Sequence, residues 1–359
     1  MINETNIRLQ STRYQGSKRK LIPWMYPIFK DIKFNSVLDV FGGTGVVSYL
    51  LKQMGKKVIY NDFLEFNHQI GLSLIENQKV KLEENDIKWL LKSIDLNNDS
   101  NNFIASTFKN IYFNNNENVW LDNVILRIHN MNSYDSETLR YKKAIAFNTL
   151  FQSCLVKRPF NLFHRKNLSI RKKRIHRSFG NKTTWEKPFE QLFNKYSAEL
   201  NSLVFQSKNK CEAICKPFTE LNLYDVDLVY LDPPYLNIDG KNETANYFDI
   251  YHFLEGIMIY PEWSTRINRE SKNLKLHNYK KNVFKKDNIY EVYDSMFEIF
   301  KKSKIVLSYK SDGIPSIRFL SDRLKKLGKN VSIKSLEYSY SLKKNHLDRK
   351  NREYLIIGQ

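Results

Sequence analysis

The chain has 359 residues, 42% hydrophobic and 27% charged, with 58 Lys and Arg against 38 Asp and Glu for a formal net charge of +20. This is the composition of a folded chain with one large domain or two modest ones, and no apolar run reaches the ~18–20 residues a membrane span needs. The polar start at Met1 to Asn6 lacks the apolar centre of a signal peptide. Cys154, Cys211 and Cys215 are odd in number and carry no CxxC spacing, so neither a disulfide framework nor a metal site is indicated. A reducing cytoplasm is the expected compartment.

Taken in chain order, Tyr14-Gln15-Gly16-Ser17-Lys18 leads into an apolar stretch at 21–29 that reads as a helix. Next, Val37-Leu38-Asp39-Val40-Phe41 reads as a buried strand and Gly42-Gly43-Thr44-Gly45 as a tight turn. Residues 46–54 form a helix closed by Gly55, and Val58-Ile59-Tyr60 a second strand ending at Asn61-Asp62. Strand, glycine turn, helix and strand within about 30 residues are the parallel crossover of a doubly wound sheet.

Residues 64–200 carry mostly helical spacing, clearest at 119–128 and 141–150, and Thr183-Thr184-Trp185-Glu186 resembles a capping box. Strand character returns at 203–205 and strongly at 228–231. The end alternates: a helix at 289–300, a strand at 305–307, a helix at 315–327 stopped by Gly328, then a pair at 331–336 and 354–357 expected to be antiparallel. The fold class is therefore α/β, with residues 1–75 and 201–359 forming a catalytic domain around a helical, basic insertion at 76–200.

Asp232-Pro233-Pro234-Tyr235 is the sharpest chemical signal, because it follows a strand and so stands at the carboxyl edge of the sheet, where open α/β folds bind ligands. An adenine amino group is a poor nucleophile, since its lone pair is delocalised into the ring. A carboxylate and a fixed carbonyl accepting its N–H groups would localise that pair, and the prolines hold the carbonyl after Asp232 in place. Tyr235 offers a ring on which an extruded base could stack. In Asp39-Val40-Phe41-Gly42-Gly43-Thr44-Gly45 no Lys-Ser/Thr follows the glycines, so the turn is not a phosphate loop. Asp62 ends the second strand, 17 residues after Gly45, where a carboxylate can accept from both ribose hydroxyls. Together they suit a cofactor with an adenosine moiety and no phosphate; a dinucleotide is the alternative. Lys18, beside a glycine turn, could hold a carboxylate.

In this order the three stretches resemble the D12-class, Dam-like adenine-specific DNA methyltransferases. The resemblance implies a Rossmann-like class I methyltransferase sheet, mostly parallel with a terminal antiparallel hairpin, and S-adenosylmethionine as methyl donor. It implies that Tyr14 and Lys18 touch the donor's amino-acid part, that Asp39, Phe41, Gly43 and Gly45 form its loop, and that Asp62 holds the ribose. It makes Asp232 both a catalytic residue and a wall of the donor site, with Pro233, Pro234 and Tyr235 completing the centre. It extends to Ile305-Val306-Leu307-Ser308-Tyr309 and to Lys157-Arg158-Pro159-Phe160-Asn161-Leu162-Phe163-His164-Arg165. One departure stands out: where the family often has an acid before a phenylalanine, this chain has Pro217 before Phe218.

Between residues 157 and 177 lie nine basic side chains and no acid: Lys157, Arg158, Arg165, Lys166, Arg171, Lys172, Lys173, Arg174 and Arg177. Unrelieved basic charge interleaved with Phe160, Phe163, His164 and His176 suits a phosphate backbone, and a second basic stretch at 272–286 could grip a displaced strand. A target amine inside a duplex is out of reach, so base flipping is required. The expected partner is double-stranded DNA bound by a monomer, with no metal and a possible cognate restriction endonuclease. The rival readings are RNA adenine methylation, cytosine-N4 methylation, and a catalytically idle nucleic-acid-binding protein.

Overall fold

The computed structural model describes residues 7–11, 14–94, 102–173, 182–237, 246–277, 283–337 and 352–359. Nine strands are present among them: β1 (Ser36–Asp39), β2 (Lys57–Asn61), β3 (Glu212–Ile214), β4 (Leu228–Leu231), β5 (Leu236–Asn237), β6 (Lys304–Lys310), β7 (Gly313–Ile314), β8 (Val331–Glu337) and β9 (Arg352–Gly358). Seven of them form one sheet in the order β3-β2-β1-β4-β6-β9-β8, and β5 pairs with β7 apart from it. The first five of that order run parallel, and β9 and β8 close the edge antiparallel, as the terminal hairpin was expected to do.

Side chains alternate strictly across the sheet. Val37, Val58, Tyr60, Leu228, Tyr230 and Val306 point into one hydrophobic core, while Leu38, Ile59, Val229, Leu231, Ile305 and Leu307 point into the other. Both faces are thus covered, which is why these strands read as continuous apolar runs in the sequence. The first core is shared with the helical layer. The helix Ser136–Lys157 is buried along almost its whole second half, lies against the helices Glu65–Gly71 and Phe189–Leu203, and sets Phe151 edge-on to Phe66 at 5.6 Å.

Two expectations fail locally. The apolar triplet 203–205 is not a strand: Leu203 ends the helix Phe189–Leu203, whose buried positions 189, 192, 193, 196, 197, 200 and 203 keep a helical period. The strand is instead β3, three residues long with one buried side chain, too short to register as a pattern. Thr183 is no cap either, since it and Thr184 lie inside the short helix Lys182–Glu186. The helix Tyr247–Met258, which the sequence pattern did not reveal, joins the first core through Phe248, Tyr251, Phe253 and Leu254. Among the described residues no helix is long and apolar enough to cross a membrane.

Candidate active site

The chain leaves β1 toward β2 on one side and β4 toward β6 on the other, so the sheet's switch point lies between β1 and β4. Asp39 is in register with Tyr230, and Val40 N–H donates to Tyr230 O at 3.1 Å. The glycine turn after β1 and the Asp-Pro-Pro-Tyr segment after β4 are therefore neighbours by construction. One cavity joins them, and its lining includes Asp39, Phe41, Gly43, Asp62, Asp232 and Pro234.

The turn is held from below. Tyr60 donates its hydroxyl to Gly43 O at 2.7 Å, and a Cβ on Gly42 would stand 2.1 Å from the Tyr60 ring, so only glycine fits there. Gly43 and Gly45 adopt φ of +50° and +68°, the left-handed region in which glycine carries no steric cost. Asp62 accepts from Gly43 N–H and from Leu64 N–H, each at 2.8 Å, one per carboxylate oxygen. Asp62 is itself part of the cavity lining.

Asp39 is buried, and its Oδ2 accepts from Ser48 Oγ at 2.6 Å while Oδ1 has no hydrogen-bond partner. Burial pushes its carboxyl up, partly countered by Ser48 and reinforced by Asp232 and Asp62, to about 7. Phe41 meets Phe284 edge-on at 5.7 Å and Phe218 at 6.1 Å, and with Pro217 and Val283 these rings make an apolar wall. Tyr14 stacks on Tyr251 at 4.4 Å and on Tyr247 at 5.8 Å.

Lys18 lines the same cavity; its side chain is only 3% exposed, with the ammonium 3.2 Å from Asp232 Oδ1, and it donates to Tyr235 Oη at 2.8 Å. Tyr235 in turn donates to Asp232 Oδ1. Its ring stands edge-on to Tyr309 at 5.4 Å, and neither it nor Pro233 is among the cavity-lining residues. Tyr235 is thus tied to the carboxylate through its hydroxyl, while the residue is only partly buried. Burial raises the Asp232 carboxyl above its ordinary value, against the opposing pull of Lys18 and Tyr235.

A family model described as "D12 class N6 adenine-specific DNA methyltransferase" matches residues 14–307, from Tyr14 through the glycine turn and Asp232 to β6. The chain belongs to that family. It is a site-specific DNA-adenine methyltransferase, and the RNA, cytosine-N4 and idle readings fall away with that assignment. Type II methyltransferase M2.HphI of Haemophilus parahaemolyticus is 24% identical over 98% of both chains. Type II methyltransferase M.NlaIII of Neisseria lactamica is 22% identical over 96% of this chain and 98% of its own. Among solved structures, the rRNA methyltransferase aviRa from Streptomyces viridochromogenes aligns over 97% of this chain and 88% of its own, at 9% identity and a TM-score of 0.32.

The basic run of this D12-class enzyme is not one surface. Lys157 and Arg158 are each 1% exposed and out of reach of phosphate. Lys157 donates to Trp185 O at 2.9 Å and pairs with Glu117 at 2.8 Å. Arg158 spends its guanidinium on four carbonyls, of Tyr112, Leu162, Arg165 and Lys166, at 2.7–3.2 Å. Arg171 forks onto Glu117 at 2.7 and 2.9 Å. The run looked unrelieved because its counter-charge, Glu117, lies 40 residues earlier in the chain. Arg165, Lys166, Lys172 and Lys173 are exposed; Arg174, His176 and Arg177 lie outside the described residues. Pinned by Arg158, the turn before them exposes Phe160 by 61% at a φ of +62°. In the second basic stretch, Lys275 pairs with Asp249 at 2.9 Å, and residues 278–282 lie outside the described part.

Several site residues carry no clear mark in the sequence. Asn246, Tyr247 and Phe284 line the cavity, and the four-residue spacing of Tyr247 and Tyr251 on one helix was the available signal. Gly42, closed in by the Tyr60 ring, lines the cavity as well. Glu353 on β9 reaches Lys18 at 3.7 Å, and nothing in its local sequence marks it. The fold also brings Glu65, His68 and Cys215 within 4.8 Å of one another beside the cavity, a grouping of metal-ligating types that no linear spacing reveals.

Proposed function

We propose that this enzyme takes its methyl group from S-adenosylmethionine bound in the cavity between the glycine turn and Asp232. The observation that carries this is the cavity itself, which places three carboxylates and an aromatic wall around one space beside the Asp-Pro-Pro-Tyr segment. The residues fit the donor. Asp39 Oδ1 is a buried acceptor lacking a donor, as an ammonium would supply. Asp62 lines the cavity at the end of β2, where its carboxylate would meet a ribose diol, and Phe41, Phe218 and Phe284 provide faces for a purine. Acids and aromatic rings lining the space favour a sulfonium cation. Tyr14 would pack on the amino-acid end, and Gly43 and Gly45 would let the backbone approach closely; Lys18 would serve from the side of Asp232. No acid precedes Phe218, so the purine amine would be met by backbone groups near Pro217.

The sulfonium supplies an activated methyl group. The protein supplies alignment and polarisation. Asp232 accepts one N–H of the adenine amine and localises its lone pair, while the carbonyl fixed by Pro233 and Pro234 accepts the other. Tyr235 holds Asp232 Oδ1 from behind. After transfer the nitrogen must shed one proton, which the raised carboxyl of Asp232 is suited to take.

We also infer that residues 76–200 act as the target-recognition region and residues 1–75 and 201–359 as the catalytic one. Arg165, Lys166, Lys172 and Lys173, with Arg174 and Arg177, would meet phosphates of a duplex from which the adenine is flipped, and Phe160 adds an apolar face among them. The enzyme would work as a monomer in the cytoplasm, modifying sites that a separate cognate endonuclease cuts.

Asp232→Ala should lower methyl transfer from labelled donor to an adenine-containing duplex at least about 1000-fold, with donor and DNA dissociation constants within a few-fold of the native protein. Turnover close to native would refute the assignment.

A further inference from the structure

Glu353 lies on β9, beyond the family match at residues 14–307. It is 1% exposed, and neither carboxylate oxygen has a hydrogen-bond partner. A buried carboxylate left without donors is uncommon and calls for a reason. Its own strand offers none, since Arg352 pairs outward with Glu337 at 3.0 Å. Its cross-strand neighbour Lys310 is bonded to Asn237 and to Asp312. The ammonium in reach is that of Lys18, at 3.7 Å from Glu353 Oε1 and 3.2 Å from Asp232 Oδ1. Lys18 therefore sits between two carboxylates and is closer to the one the reaction needs.

This arrangement creates a conflict. While the Lys18 ammonium sits 3.2 Å from Asp232 Oδ1, its charge weakens the pull of that carboxylate on the N–H of an incoming amine. Closing the gap to Glu353 takes a shift of only about 1 Å, the excess over a charge-assisted hydrogen bond. We propose that Glu353 is a positioning residue for methyl transfer: it gives Lys18 a second seat, so that the ammonium leaves Asp232 as the target amine arrives. The inference rests on the reading of Asp232 given above. Burial pushes the Glu353 carboxyl up, with Lys18 opposing and Asp232 reinforcing, to about 7. The charged and titratable groups facing it are Lys18, Asp232, Lys310, Tyr230 and Tyr235. Below that pH a protonated Glu353 cannot draw Lys18 away, so turnover should fall on the acid side.

The test is single-turnover transfer from labelled S-adenosylmethionine, saturating at every pH so that Asp39 titration does not enter the rate, to an adenine-containing duplex, run from pH 5.5 to 8.5 on native protein, Glu353→Gln and Glu353→Asp. Native protein should show an acid limb near pH 7. Glu353→Gln should turn over at least tenfold more slowly, lose that limb, and bind donor and DNA within twofold of native. Glu353→Asp should regain part of the rate and keep the limb. Rates for Glu353→Gln within twofold of native, or an unchanged limb, would overturn the inference while leaving Asp232 in place. If Glu353→Gln does not fold, by its melting curve, the native limb and the Glu353→Asp profile decide alone, and absence of the limb from both overturns it. Failure of native protein to transfer at any pH would instead strike the reading of the site.

Discussion

Among the described residues, the buried cation clusters at Glu117 and at Lys18 differ in what is left over. Around Glu117 every partner is matched: Arg171 forks onto it, Lys157 joins it, and it also closes the capping box with Asn114 at the start of the helix Asn115–Asn130. Burial raises its carboxyl, but Arg171 and Lys157 outweigh that and hold it below the ordinary range. Around Lys18 the balance is reversed. Asp232, Glu353 and Asp39 are all raised, and Glu353 and Asp39 Oδ1 have acceptors with no donor. A saturated cluster is structural, because nothing further can bind it. One with unspent acceptors is poised for a ligand.

The comparison breaks most visibly at Glu117. Glu117→Ala leaves Lys157 and Arg171 buried without their carboxylate and should destabilise the fold by about 3–5 kcal/mol, read by urea unfolding, with donor affinity of the folded fraction unchanged. A loss below about 1 kcal/mol would mean the cluster is slack. By contrast, Asp232→Ala should change turnover and hardly change melting.

The next effect is on pH. Asp39 carries a proton in the unliganded protein below about 7, whereas pairing with an ammonium requires the carboxylate. Donor binding should therefore expel one proton on the acid side. Affinity should rise about tenfold per pH unit up to pH 7 and then flatten. Calorimetry in buffers of different ionisation enthalpy would count the proton, and Asp39→Asn should remove both the release and the pH slope. An unchanged slope in that variant would assign the titration to another carboxylate.

The smallest effect concerns the exposed cations. Reversing Arg165, Lys166, Lys172 and Lys173 to Glu should weaken duplex binding and lower the slope of log Kd against log salt by about 0.9 for each phosphate no longer neutralised. An unaltered slope would move the interface off this face.

The catalytic chemistry was legible because it is local. Strand, glycine turn and strand, and later strand followed by Asp-Pro-Pro-Tyr, write their positions in consecutive residues, and parallel pairing of β1 with β4 brings them together with little freedom. The exposed basic side chains were legible only in part. Basic composition does not say which cations reach solvent, and the counter-charge that buries Lys157 and Arg171 comes from another helix. The contacts of Tyr235 with Lys18 and Tyr309 were not legible, because those partners lie far from it in the chain.

From its sequence alone this chain was determined to be a doubly wound α/β enzyme with a glycine turn and a carboxylate at the sheet's edge, because hydrophobic period and backbone-restricting residues act over short spans. Tertiary structure decided which charges are spent inside and which remain for a ligand. Burial and the distance between groups remote in the chain fix a side chain's ionisation, and neither quantity exists until the chain has folded.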